Sequence, residues 1–368
     1  MGERRAAKYR MIFETLQREI RGGVYAPGSP LPSEESLERR FGVSRITAIR
    51  ALNDLAKIGL AYRRRGAGTF VPRAAAVESG PIGLIVPGLS YGEVFAPIAQ
   101  EMVRLAQKDG YTTLLGDVSS PGARARAHEA CAVARMFIRQ RVAGVLFQPL
   151  AFLRTPDRVS REILARLGAA GIPVVLFDRD ISSARPDDPP HDFVGVDNLA
   201  AGRAIGAHLV ACGAKRVHFL MRPKCASVIY DRLDGVQSAL GDARPRNNVI
   251  VAEPDDVEAI GRVFRSPRTR PDAVACESDY VAARFANTLA GMGLSVPRDV
   301  MLTGFDDVKF AEMASPPLTT ARQPCADIAA MAYRSLRERM RDGSLPSRKI
   351  LLPAPIVVRA STGKEKIS

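Results

Sequence analysis

From Ile82 onward the chain repeats one unit, a short apolar run followed by a stretch with helical periodicity. The runs are IGLIV (82–86), TTLL (112–115), AGVLF (143–147), PVVLF (173–177), FVGV (193–196), RVHFL (216–220), NVIVA (248–252), AVAC (273–276) and VMLTGF (300–305). They lack polar alternation, so they suit strands covered on both faces, and the interleaved helices imply right-handed strand–helix–strand units. A polar, Pro- and Asp-rich interruption at 182–192 parts four runs from the rest. The pattern predicts two doubly wound parallel lobes, an α/β body whose ligands lie beyond the carboxyl ends of the strands.

The first 73 residues are different. They carry 15 basic and seven acidic groups, more than half of the chain's net charge of +14. A cationic module on a nearly balanced body is the asymmetry expected of a nucleic-acid reader with a second function. Residues 8–21 place Ile12, Leu16 and Ile20 four apart, which predicts an amphipathic helix ended by Gly22-Gly23. Ser33 can cap a second helix carrying Leu37 and Phe41, broken by Gly42, and Ser44 a third running to about Ile58. Ile46, Ile49, Leu52 and Leu55 are available for its packing. Two short helices around a tight turn form a helix-turn-helix, whose second member enters the major groove. LAYRRRGAGTFV then reads as a basic hairpin, or wing, with Arg63, Arg64 and Arg65 near a Gly66-Ala67-Gly68 turn that lets backbone approach phosphates. Residues 74–81 read as a linker.

PGSPLPSEESL, FGVSRITAIRALNDL and GLAYRRRGAGTFV, in that order, resemble the GntR-type winged helix-turn-helix family. The resemblance implies double-stranded operator DNA as partner, with Ser44, Arg45 and Thr47 facing it from the recognition helix and Gly66 at the wing tip. Ser33, Arg50, Arg64 and Arg65 complete the expected DNA-binding set. Arg45 is the leading base reader, because a guanidinium contacts guanine in two places. The family often has a basic residue where this chain has Ile49.

In the body, the residues following the apolar runs are unusually polar: Ser90 and Tyr91, Asp117, Gln148, Asp178 and Arg179, Arg222, Ser278 and Asp279, Asp306 and Asp307. Any one of them can simply cap a helix; Asn198 and Asp307 are expected to be structural. VGVDNLAAGRAIGAHLVACGAKRVHFL, RLDGVQSAL, TGFDD and PPLTTARQP resemble the LacI-type, periplasmic-binding-protein-like regulatory domain. That resemblance implies effector contacts from Asp178, Arg232, Ser278, Asp306 and Gln323, with Tyr91, Phe95 and Phe147 lining the first lobe. Ser90, Gln148, Arg179 and Asp279 join the expected effector set. It also implies three crossovers and discontinuous lobes, about 82–185 with 324–346 and about 192–322 with 349–360, leaving 361–368 as a tail.

The expected molecule is a homodimeric, ligand-responsive transcription regulator, a repressor sensing a sugar, sugar acid or nucleoside. No 18-residue apolar span indicates a membrane segment, and MGERRAAKYR lacks a secretory apolar core. Five scattered cysteines without C-x-x-C suit reduced thiols in a cytoplasmic protein, and the four histidines do not join them at zinc-ligand spacing. No metal or cofactor is expected. The competing class is an enzyme acting on sugars or nucleotides, but no phosphate loop, nucleophile elbow or H-E-x-x-H is found.

Overall fold

The computed structural model describes residues 2–21, 24–25, 29–57, 60–64, 68–71, 80–88, 93–120, 122–150, 156–181, 191–223, 225–241, 248–268 and 270–363. They form two compact units, Met1–Ser79 and Gly80–Ser368.

In the first unit, α1 (Gly2–Arg21), α2 (Glu34–Phe41) and α3 (Arg45–Lys57) precede a hairpin of β1 (Tyr62–Arg64) and β2 (Gly68–Phe70). The Ser33 hydroxyl starts α2 by accepting the Ser36 amide at 3.1 Å. Gly42 ends that helix at φ 59°, with its N–H on the Glu38 carbonyl, a left-handed conformation in which a side chain is strained. Ile12, Leu16, Leu37, Ala48, Ala51, Leu52 and Leu55 make the core. The buried apolar positions of α3 are 48, 51, 52 and 55, the three–four spacing of one helix face. Ile46 therefore does not pack as expected: it lies off that face and is 71% exposed. Antiparallel pairing of Tyr62 with Phe70 and Arg63 with Thr69 builds the wing. The Leu31 and Val71 amides, bonded to the Thr69 and Ser29 carbonyls, tie it to the chain before α2.

The second unit holds two six-stranded sheets. The first contains β3 (Ile82–Pro87), β4 (Thr113–Val118), β5 (Gly144–Phe147), β6 (Val174–Phe177), β7 (Asp192–Val196) and, late in the chain, β13 (Lys349–Leu352). Its strand order is β13-β7-β6-β5-β3-β4, all parallel. The helices between these strands are α4 (Phe95–Lys108), α5 (Ala123–Arg139) and α6 (Pro156–Ala169). The second contains β8 (Val217–Met221), β9 (Val249–Val251), β10 (Ala273–Cys276), β11 (Met301–Asp306), β12 (Thr319–Arg322) and β14 (Ile356–Val357), in the order β14-β12-β11-β10-β8-β9. Only the β12–β14 pair in it is antiparallel. Its helices are α7 (Asn198–Ala211), α8 (Ser227–Ala239), α9 (Val257–Phe264), α10 (Asp279–Gly291) and α11 (Lys309–Met313), and α12 (Cys325–Arg341) returns to the first sheet.

The chain passes between lobes after β7, after β12 and after β13, and two expected boundaries shift as a result. The strand after the polar interruption pairs back onto β6 (Phe177 with Val194), and β13 pairs with β7 (Leu352 with Val196). Residues 192–196 and 349–352 thus complete the first lobe rather than open the second. The expected tail begins too early, because Ser361 and Thr362 are buried. The Ser361 hydroxyl donates to the Leu302 carbonyl and accepts the Thr319 amide, satisfying backbone that would otherwise be orphaned.

Close backbone contact positions α8. A Cβ on Gly202 would lie 2.2 Å from the Arg232 carbonyl, and one on Gly235 2.2 Å from that of Leu199. These two glycines let α7 and α8 cross without intervening side chains, which brings Arg232 beside Asn198.

Candidate functional site

The first candidate site is the outward side of α3 and the wing. Ser44 opens α3, its carbonyl accepting the Thr47 and Ala48 amides. Its hydroxyl lies 3.0 Å from that of Thr47. Thr47 is only 8% exposed, so its hydroxyl orients Ser44 and offers DNA little surface, a correction to its expected role. The Arg45 side chain is exposed, with Nε 3.0 Å from a Glu34 carboxylate oxygen. The other oxygen of Glu34 accepts from Arg63, which also donates to Asn53 at 3.1 Å. Glu34 thus joins α3 to the wing, a role the sequence reading missed although S-E-E at a helix start was visible. Arg50 turns back over the Tyr9 ring, 4.9 Å from its centroid, and approaches Asp54 at 4.0 Å. Arg64 is exposed on β1, while Arg65 and Gly66 lie outside the described residues.

The second candidate site gathers at the carboxyl ends of the body strands. Asp178 follows β6 at φ 65° and Asp306 ends β11 at φ 111°. Side chains are rare in that region of backbone space, and the strain costs about 1–3 kcal/mol per residue. Asp178 accepts from Gln148 Nε2 at 3.0 Å and from Gln323 Nε2 at 3.2 Å. The Gln323 backbone N–H donates to the Asp306 carbonyl at 3.1 Å. Gln323, on the second crossover, therefore touches the end of one sheet through its side chain and the end of the other through its backbone.

Arg232 completes this cluster. It is buried, stacked 3.4 Å above the Phe305 ring centroid, and donates to Asn198 Oδ1 at 2.8 Å and the Glu277 carbonyl at 2.7 Å. Its remaining terminal nitrogen lies 4.0 Å from Asp306. Asn198 was expected to cap α7, but the cap is Asp197, whose carboxylate accepts the Ala200 amide. Two capping residues in succession signalled that only one could serve. Glu277 and Phe305 are further supports the sequence did not reveal. The Glu277 carboxylate takes the Arg222 amide at 2.9 Å and its Nε at 2.5 Å.

Other expected contacts are reassigned. Phe147 has no exposed surface and packs with Ile85, Phe137 and Phe193, so it cannot line a cleft. Arg179 is buried, and one terminal nitrogen of its guanidinium donates to the Leu150 carbonyl and approaches Asp157 of α6 at 3.4 Å, so that end of the side chain faces α6. Asp279 is also fully buried: it accepts from Thr320 Oγ1 at 2.6 Å and from the Val308 amide at 3.0 Å, pinning the turn after Asp306. Ser278, half-buried, caps α10 through Val281 at 3.3 Å, and Phe95 packs, half-buried, against the core; neither placement contradicts its expected role. Asp307 is structural as expected, held by Arg322 and Arg359. Ser90 and Tyr91 lie outside the described residues.

Burial raises the pKa of Asp178 and Asp306, with Arg232 opposing it in both, and pushes Asp279 up to about 7, with the Thr320 bond opposing. Burial also lowers the pKa of Arg232. The folded body therefore holds carboxyl protons that the unfolded chain releases near pH 4. Their stabilisation is fully present below that pH and is lost as pH rises through the folded values. The melting temperature of the unliganded protein is expected to carry a downward component between about pH 4 and pH 7. Asp279→Asn should flatten it, and an unaltered pH profile in that variant would remove the assignment.

Two family models match the chain: bacterial regulatory proteins of the gntR family over residues 8–71, and a periplasmic binding protein-like domain over 207–362. The arabinose metabolism transcriptional repressor of Geobacillus stearothermophilus is 25% identical, over 98% of this chain and 99% of its own. A LacI-family transcriptional regulator structure from Sanguibacter keddieii DSM 10542 is 30% identical, covering 78% of this chain and 100% of that one, with a TM-score of 0.60. The complex of the transcriptional regulator CelR with cellobiose shares the fold at a TM-score of 0.65, with 24% identity over 87% of this chain and 91% of that one. Among the described residues no helix is long and apolar enough to cross a membrane.

Proposed function

Because the chain belongs to the LacI family of transcription regulators and carries a gntR-type head at its N-terminus, we propose that it is a repressor whose hold on operator DNA is set by a sugar or sugar derivative bound between its two lobes. The observation that carries this reading is the convergence of Asp178, Asp306, Gln323 and Arg232 at a crossover between the sheets. Carboxylates accept from hydroxyls and a guanidinium donates to them, so the cluster has the chemistry to hold a polyol. The whole-length relative named for arabinose metabolism supports the same class, and the regulatory names of the relatives favour a sensor over an enzyme.

The mechanism is linkage. An effector that touches both lobes prefers one arrangement of the crossovers and shifts the population toward it. In a homodimer, paired recognition helices must meet major grooves about 34 Å apart or a multiple of it, so a change in head spacing weakens binding. The test is a screen of sugars, sugar acids and nucleosides by thermal shift, repeated as fluorescence anisotropy on a duplex selected by the protein from a random pool. A sugar is expected to raise the melting temperature and release the duplex without being consumed. If no compound stabilises the protein, or stabilisation leaves DNA affinity unchanged, the reading fails; turnover would assign an enzyme instead.

A further inference from the structure

We propose that Ile46 is a specificity-determining residue that reads the 5-methyl group of a thymine in the operator half-site. The inference rests on the DNA-binding reading above and adds the base.

Single apolar side chains on a protein surface are ordinary; three observations set Ile46 apart. It is 71% exposed, in the first turn of α3, where the residues of a recognition helix meet base edges. Its neighbour in sequence is Arg45, whose side chain is 73% exposed. The buried face of α3 is fixed by Ala48, Ala51, Leu52 and Leu55, so positions 46, 49, 50 and 53 share the opposite side at three–four spacing. That side holds Ile46 and half-buried Ile49 as adjacent apolar groups, with Arg50 and Asn53 beside them. A helix face prepared for phosphates alone would have no use for two isoleucines there.

In the major groove the thymine C5-methyl is the apolar feature that separates T from the other bases, and aliphatic contact reads it. Ile46 packed on that methyl, with Arg45 in reach of a neighbouring base edge, gives α3 one apolar and one hydrogen-bonding reader in a single turn.

The experiment uses the full-length protein and the duplex it selects from a random pool. Each thymine of the half-site is replaced in turn by deoxyuridine, which lacks only the methyl. One position is expected to lose about fourfold in affinity, the scale of one buried methyl group. Ile46→Ala, a substitution at an exposed position, should lower affinity for the thymine duplex by a comparable factor. It should also abolish the response to deoxyuridine and leave the salt dependence of binding unchanged, because no phosphate contact is removed. Wild-type affinity that ignores deoxyuridine at every position would overturn the proposal, as would an Ile46→Ala protein that responds to deoxyuridine as the wild type does. Failure of the pool to yield any preferred duplex would overturn the DNA-binding reading, and this proposal with it.

Discussion

Arg232→Ala is expected to abolish the effector response while leaving operator affinity in the absence of effector unchanged. The guanidinium donates to Asn198 and to the Glu277 carbonyl, and it is the cation facing Asp306. Removing it takes away a polar anchor of the cluster and leaves the half-buried Asp178 and Asp306 without their counter-charge. Effector affinity should fall by about a hundredfold or more, since breaking a buried charged contact costs about 3–5 kcal/mol. Part of that cost falls on folding, so the melting temperature should drop as well, and less so toward lower pH, where the carboxyls are protonated. Arg232→Lys is the informative companion: an ammonium keeps the charge but cannot span Asn198 and Glu277 as a fork. Calorimetric titration with the effector found by screening, beside anisotropy on the selected duplex, reads both functions. A variant released from DNA at the wild-type effector concentration would show that the cluster is not the effector site.

The second large effect belongs to the head. Arg45→Ala should weaken binding to the selected duplex by about ten- to a hundredfold, the range of one bidentate base contact, with effector affinity unaltered. The salt dependence separates two ways of losing affinity. Loss of a base reader relaxes preference at one position and leaves the salt slope nearly intact. Loss of a phosphate contact weakens all sequences alike and lowers the slope by about one. The pairing of Arg45 with Glu34 at 3.0 Å argues for the former, because a carboxylate beside it holds the guanidinium in a set direction. Unchanged DNA affinity would remove α3 as the recognition helix.

The sequence made much of this visible where local chemistry and periodicity agree. Ser33, Gly42 and the 12/16 stripe marked the head helices, and uninterrupted apolar runs marked the buried strands. Asp178 and Asp306 were legible as polar groups at the ends of such runs, whereas Gln323 came only from the resemblance. What was hidden depended on partners distant in sequence. Arg179 reads as a ligand contact until it is seen buried, with one terminal nitrogen on Leu150 and Asp157. Phe147 reads as a lining until its face of the sheet is known, which an all-apolar run does not disclose. Asp279 adjoins a helix start like any cap, yet its partners Val308 and Thr320 come from two other elements. The lobe boundary failed for a related reason: a polar interruption marks a loop, but strand pairing decides which sheet the next strand joins.

The return of α12 and β13 to the first sheet sets an order of events at the ribosome. The cationic head needs nothing beyond its first 71 residues to close its core, so it is complete when the rest of the polypeptide is still being made. The earlier-begun half of the body must wait for a covering helix and an edge strand that emerge only after β8 to β12 of the other lobe. A nascent or prematurely terminated product would therefore carry a finished duplex-binding end on an unfinished sensor, unable to answer any metabolite.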